Sequence, residues 1–592
     1  YEKSGSPNPA GGAHLKGTYW FAVRPWTFGH GVDGVTYPAQ GDLANMASCS
    51  FPLARLSLFP SFSAGLAGGV PGVALDVTNQ RLWFVADDGT NSAIAWWLYK
   101  SPECGHEVAT NSGTPNDPIT GITMTGARAR ALDIGSDDTI YVALGGGANA
   151  GVVKITNGLV ATQWLTSTAG LGVAVNGLKV DRTRARTTAA GTVSTGLVNA
   201  GANNRVLVTG GAFSQADVGR AITLSGGSAD NGTYKISAYV DATHVDVTTL
   251  AGGAVVFAGS AASGAMAIGD RIYLFWNDTT SNAGSGAGFI SLRYMESLAF
   301  GTILTTGDLA VTASTGRTLY DGHATAKGAR PPAAIDPGTG NLFWASSDTA
   351  ARVNRFNVTA RTVSQKTVAS FTQPADATGA AAPAICYGIG VNPHASFREV
   401  WLGTDVGIIR FSPDHADLST LTTGAYAATL PANQYRRYYG SGVATLYTQP
   451  ANYTRPSGET LNATSHAFVG FVFGPDGKTY AEGLAATADE MTRYLRDQDL
   501  FVSADTPVGR TVNTNTAAVQ SAHHITPNGE VIRLHMSATA PSYIASSLVD
   551  YQWIGGAWVA KEAMRGPIPD ATSQPGLLAK DLHTASEDLL YG

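Results

Sequence analysis

Charge is scarce in this sequence. Only 14% of its 592 residues are Asp, Glu, Lys or Arg, against about 25% in an average soluble domain. The net charge is −6 and no segment forms a basic block, which argues against an electrostatic grip on nucleic acid or an anionic membrane surface. No apolar run approaches the roughly 20 residues that a membrane-spanning helix needs. Cysteine is nearly missing: Cys49, Cys104 and Cys386 are widely spaced and form neither a zinc-ligand spacing nor a disulfide framework. There is also no Gly-x-Ser-x-Gly elbow, no His-Glu-x-x-His and no phosphate-binding loop, so the sequence signatures of common hydrolases, metalloproteases and nucleotide-binding proteins are absent. What the chain does have is glycine, 70 residues, within a composition that is 44% hydrophobic. So much apolar content at so low a charge argues against disorder. Glycine with small and β-branched residues points to many short strands joined by tight turns, not to a helical bundle.

One pattern recurs along the chain: a short apolar strand, a polar turn, then a strand rich in aromatics. It runs Ala74-Leu75-Asp76 to Leu82-Trp83-Phe84, Ala131-Leu132-Asp133 to Ile140-Tyr141-Val142, and Ala334-Ile335-Asp336 to Leu342-Phe343-Trp344. It returns as Ile389-Gly390-Val391 to Val400-Trp401-Leu402, as Phe471-Val472-Phe473 to Thr479-Tyr480, and as His524-Ile525 to Val531-Ile532. A seventh copy is split between Leu178-Lys179-Val180-Asp181 and Ile272-Tyr273-Leu274-Phe275-Trp276. Most copies continue into a third apolar strand. Meanders repeated in this way predict an all-β chain, a β-propeller of about seven blades over residues 71–561, because a blade with two apolar faces buries both only between neighbours. Asp76, Asp133 and Asp336 each close a first strand, where an Asp caps the turn. Unrelated β-sandwiches are the competing architecture.

The core Ala74-Leu75-Asp76 followed by Leu82-Trp83-Phe84-Val85-Ala86-Asp87 resembles the NHL and SMP-30-like propellers. That resemblance implies a fold and no activity. Between the halves of the split copy, residues 187–267 read as a separate inserted β unit, dividing the propeller into 71–186 and 268–561. Three stretches stand out: Phe213 to Asp217-Val218-Gly219-Arg220, Asn231-Gly232-Thr233-Tyr234, and Thr243-His244-Val245-Asp246-Val247. They resemble a small β domain common in tailed-bacteriophage virion proteins. The resemblance implies a structural tail component of nozzle, hub or fibre type, residing in the virion and made in the host cytoplasm. It implies as partners other tail proteins, further copies of the chain and a host-surface glycan or protein. No sequence-specific nucleic acid is expected.

The flanks differ from the repeats. Residues 1–70 are aromatic and Gly-rich and are expected to pack on the propeller or on a neighbour. Residues 562–592 are polar and are expected to be a linker into further sequence, the first residue being Tyr1 rather than Met. A capping box of Thr487 and Glu490 with an apolar stripe of Met491, Tyr494 and Leu495 predicts one helix over residues 485–500.

Chemistry is thinly signalled. His523 and His524 are adjacent, and on a strand they point to opposite faces, so they do not converge on one ion. Asp87, Glu103, Asp278, Asp348 and Asp405 follow aromatic strands or begin loops, where propeller hydrolases gather carboxylates. No motif draws them together, so no catalytic residue, metal or cofactor is assigned. Trp97, Tyr387, Tyr438 and Tyr439 are the candidates for surface contact. The alternative function is a secreted propeller that binds, hydrolyses or lyses glycans, which a pair of channel carboxylates about 5–10 Å apart would favour.

Overall fold

A computed structural model describes most of residues 69–565. Residues 1–68, 99–106, 109–128, 301–332, 439–466, 504–519 and 566–592, with shorter connections, lie outside the described residues. The chain adopts an all-β fold of propeller type. Among the described residues, seven meanders of three to five strands follow one another, antiparallel except for a short parallel pairing of Thr422–Thr423 with Gln434–Tyr438 in the fifth, and one further sheet interrupts the third of them. Each recurring strand pair of the sequence is the first hairpin of one meander. Gly69–Asp76 pairs with Arg81–Asp87, Val175–Asp181 with Arg271–Asp278, and Cys386–Val391 with Val400–Thr404. The aromatic strand sits second and so lies inside its sheet, hydrogen-bonded on both sides.

The chain divides into two compact units, residues 130–439 and the remainder. In the first of these, meanders two to five stack in chain order. Tyr141, Ala143 and Val152 of the second meander share a core with Leu178, Val180, Ile272 and Leu274 of the third. The opposite face of that third meander, through Tyr273, Phe275 and Tyr294, packs on Leu342, Trp344 and Phe356 of the fourth. The fourth then turns Phe343, Ala345 and Val353 toward Val400, Leu402 and Ile409 of the fifth. Alternate residues of one strand thus serve two different cores, which is why these strands read as unbroken apolar runs. In the other unit the sixth and seventh meanders, residues 467–503 and 520–565, touch through their first strands.

The helix expected over residues 485–500 does not form. Asp489–Leu495 is the third strand of the sixth meander, paired with Thr479–Leu484 through Glu482↔Met491 and Tyr480↔Arg493. Leu500–Ser503 adds a fourth strand. Two things decide against the helix. Thr492 and Tyr494 are good strand residues, and the inner strand Thr479–Leu484 has a row of backbone groups that need partners. The α-helix of the described residues lies elsewhere, at Gly196–Ala200 in the interrupting sheet.

That interrupting sheet occupies Arg186–Thr187 to Ser260–Ile268 and closes on itself. Its last strand pairs with Val193–Thr195 along one side and with Ala221–Ser225 along the other, so six of its strands close into a small barrel, to which Arg186–Thr187 adds a two-residue strand paired with that last strand. Gly264 allows the closure, because a Cβ there would sit 2.6 Å from the carbonyl oxygen of Ser225. Val206, Ile222, Ile236, Val245, Val247 and Met266 fill its interior. No helix among the described residues is long and apolar enough to cross a membrane.

Candidate functional site

Polar chemistry concentrates where the barrel joins the third meander. The chain leaves the strand Val175–Asp181 through a turn carrying Arg184 and enters the barrel at Arg186. Both guanidinium groups reach Asp217, at 3.2 and 3.0 Å. Asp217 is held in turn by a capping box, its Oδ2 accepting the Ser214 N–H at 2.8 Å. Burial alone would raise the Asp217 pKa, but the Arg186 hydrogen bonds and the Arg184 charge outweigh it and hold the carboxyl below its ordinary range. Three residues on, buried Arg220 pairs with buried Asp181 and donates to the Gly269 carbonyl at 3.2 Å. Arg220 therefore ties the entry and the exit of the barrel together. The Val218-Gly219-Arg220 turn of the sequence is the centre of this joint.

Beside it, Arg271 and Glu296 face each other across two strands, with Nε donating to Oε1 at 2.6 Å. Burial raises the Glu296 pKa despite that arginine. Burial also works against the Arg271 charge, but Glu296 more than offsets it and the Arg271 pKa is raised. Burial pushes the Tyr273 phenol up to about 12.

One carboxyl has a pKa near neutrality. Asp270 is 1% exposed, and burial raises it to about 6, against the Ser136 hydrogen bonds and with help from Asp137. Its Oδ2 accepts the Ser136 N–H at 2.9 Å, which links the Gly135 turn of the second meander to the third. A general acid needs such a pKa, but this carboxyl is sealed beneath a turn rather than open to a substrate.

The residues expected to carry function are dispersed. Tyr438 is not at a surface: it is 3% exposed and stacks on Trp401, with ring centroids 6.2 Å apart. It lies on the inner strand Gln434–Tyr438, where both sheet faces are covered, so burial of the ring wins. Trp97 and Tyr387 lie on the strands Ser92–Leu98 and Cys386–Val391, and their side chains, like Tyr439 as a whole, lie outside the described residues. Asp87 and Asp278 end their strands, and Glu103, Asp348 and Asp405 lie outside the described residues. His523 and His524 sit in the strand Gln520–Ile525, opposite Arg533 and Ile532. The turn aspartates divide. Asp76 and Asp336 cap their turns by accepting the N–H of Asn79 and Gly338. Asp133 instead accepts the Val180 N–H of the next meander at 2.8 Å, with Lys179 3.9 Å away. No single motif signals the joint, because its arginines and carboxylates come from separate segments.

The far end of the barrel is built around one buried carboxylate. Asp230 accepts from the Thr195 hydroxyl at 2.5 Å and from the N–H groups of Ala258 and Gly259 at 2.8 and 3.1 Å. These bonds fix the loop before Ser260 to the residue that precedes the helix Gly196–Ala200. On that frame Leu197, Val198 and Val256 are 60, 90 and 76% exposed.

No family model matches the sequence, and no curated protein matches it. Solved structures similar to the chain include a prolyl endopeptidase, 11% identical over 89% of this chain with a TM-score of 0.36. This chain spans 55% of the length of that protein. The Dos1 propeller is 8% identical, covering 79% of this chain and 89% of its own, with a TM-score of 0.33. The phage phi92 endosialidase is 8% identical, covering 84% of this chain and 87% of its own, with a TM-score of 0.23.

Proposed function

We propose that the chain is a structural component of a tailed-bacteriophage virion, a tail protein of nozzle, hub or fibre type. It has no catalytic site, assembles with further copies of itself and with other tail proteins, and serves host-surface contact second. The observation that carries this reading is the barrel. Its sequence resembles a virion β domain, its entry and exit are clamped by Asp217 and Arg220, and its far end presents Leu197, Val198 and Val256 on a fixed frame. A clamped joint suits an arm that transmits position rather than one that swings. Residues 191–204 and 249–263 at that end hold no charged side chain, and Asp230 beside them is buried, so copies meet there without like-charge repulsion. Because the strands at that end close on one another, contact there is made through side chains and not by strand addition.

Sedimentation of the purified chain and imaging of the native particle test this reading. The expected result is a closed ring or trimer, weakened by Leu197→Ser with Val198→Ser. A monomer at high concentration, with the chain found in no ring or trimer of a particle, overturns it. Turnover of a bacterial surface polysaccharide that is lost in Asp87→Asn or Asp348→Asn overturns the non-enzymatic part.

A further inference from the structure

The turn that carries Arg220 also holds Gly219, whose φ of +87° lies in the left-handed region. The point where a Cβ on Gly219 would sit is 3.6 Å from Nη2 of Arg361 and 3.7 Å from Nη2 of Arg271. Two guanidinium groups from different meanders therefore border the point where this residue has no side chain. Arg271 comes from the second strand of the third meander. Arg361 comes from the turn between Ala351–Asn357 and Thr362–Thr367 of the fourth.

Their surroundings leave donors unused. Arg271 gives Nε to Glu296 and lies 4.4 Å from the Tyr294 ring centroid, but its buried Nη2 makes no hydrogen bond. Arg361 uses its backbone, donating to Asn357 at 2.7 Å with a φ of 57°. Its side chain has no carboxylate or carbonyl partner among the described residues. Asp217, Asp181 and Glu296, the carboxylates of the joint, are already paired with Arg184 and Arg186, with Arg220 and with Arg271. Guanidinium forks match carboxylate and phosphate oxygens, and a glycine lets a ligand approach the backbone closely.

We propose that the wedge over Gly219, between Arg271 and Arg361, binds a small oxyanion, a phosphate or carboxylate group. The bound group joins the barrel turn to the third and fourth meanders, bracing the joint from the side that Asp217 and Asp181 do not reach.

Isothermal titration of the full chain at low ionic strength, with inorganic phosphate and separately with glucuronate against a chloride background, tests this. Saturable binding of either at one site is expected. Phosphate alone assigns a phosphoryl ligand, and glucuronate alone a sugar carboxylate. Arg361→Gln is expected to weaken binding by ~10-fold or more, and Arg361→Lys less, since lysine keeps the charge but not the fork. An unchanged thermal transition shows that these turn variants fold. Failure of both anions to saturate, or equal binding by wild type and Arg361→Gln, overturns the proposal.

Discussion

On the barrel strand His244–Thr248, buried Val245 and Val247 alternate with half-buried His244, Asp246 and Thr248. On the strand Arg271–Asp278, the five residues Arg271, Ile272, Tyr273, Leu274 and Phe275 are all buried in succession. Both are central strands of antiparallel sheets in the same unit, yet they bury themselves differently. The barrel curls one apolar face around a core of its own, and its other face meets solvent. The meander has two apolar faces and gives each to a neighbour. A barrel defect is therefore local, whereas a meander defect is shared with the next sheet. The two regimes meet at Arg220 and Asp181.

The largest expected effect breaks that meeting point. Arg220→Ala leaves Asp181 buried without its countercharge and is expected to cost about 3–5 kcal/mol. Hydrogen exchange is expected to rise at Asp181 and Gly269 while Ile222 and Val245 inside the barrel stay protected. Loss of protection throughout the barrel would show that it does not hold itself together. Next comes Phe343→Ala, at about 3–5 kcal/mol by denaturant unfolding. Its ring touches Phe411 in T-shaped geometry at 6.0 Å, so exchange is expected to increase across the fourth and fifth meanders together. Ile222→Ala, of similar chemistry in the barrel, is expected to leave those meanders unchanged.

A smaller effect depends on pH. The Asp270 pKa is raised in the folded chain, to about 6, above about 3.9 when unfolded. The folded state therefore holds its proton more tightly, and stability is lost as pH rises from about 4 to 6 and is flat above. Asp270→Asn is expected to remove that slope and to add about 3 kcal/mol at pH 7, read from denaturation midpoints across this window. A slope unchanged in the variant would assign it to another group. The smallest effect on folding is at the exposed end. Leu197→Ser with Val198→Ser is expected to alter stability by less than about 0.5 kcal/mol while lowering self-association in sedimentation.

The candidate site was legible only in fragments. The Val218-Gly219-Arg220 turn stood out in the sequence, but its partners did not, since Asp181, Gly269, Arg271 and Arg361 approach it from distant segments. Tyr438 looked like a contact residue because an aromatic read as part of a loop tip carries no mark of which face its sheet covers. The strand Asp489–Leu495 looked helical because Met491, Tyr494 and Leu495 satisfy a helical spacing.

By itself, the sequence determined the hairpins. Apolar strands, polar turns and aromatic second strands are properties of a few consecutive residues, and six of the seven pairs appear as hairpins at their expected places, the split pair meeting across the barrel. It determined the all-β class as well, through glycine, small residues and the scarcity of charge. Tertiary structure decided what those strands meet. It made Asp489–Leu495 a strand, because an open ladder next to it needed hydrogen-bond partners. It turned Asp133 from a turn cap into an acceptor for the neighbouring meander, because stacking brings the Val180 N–H within 2.8 Å. It closed the barrel through pairings between Ala221–Ser225 and Ser260–Ile268, which lie about forty residues apart in the chain, too far for local preference to specify.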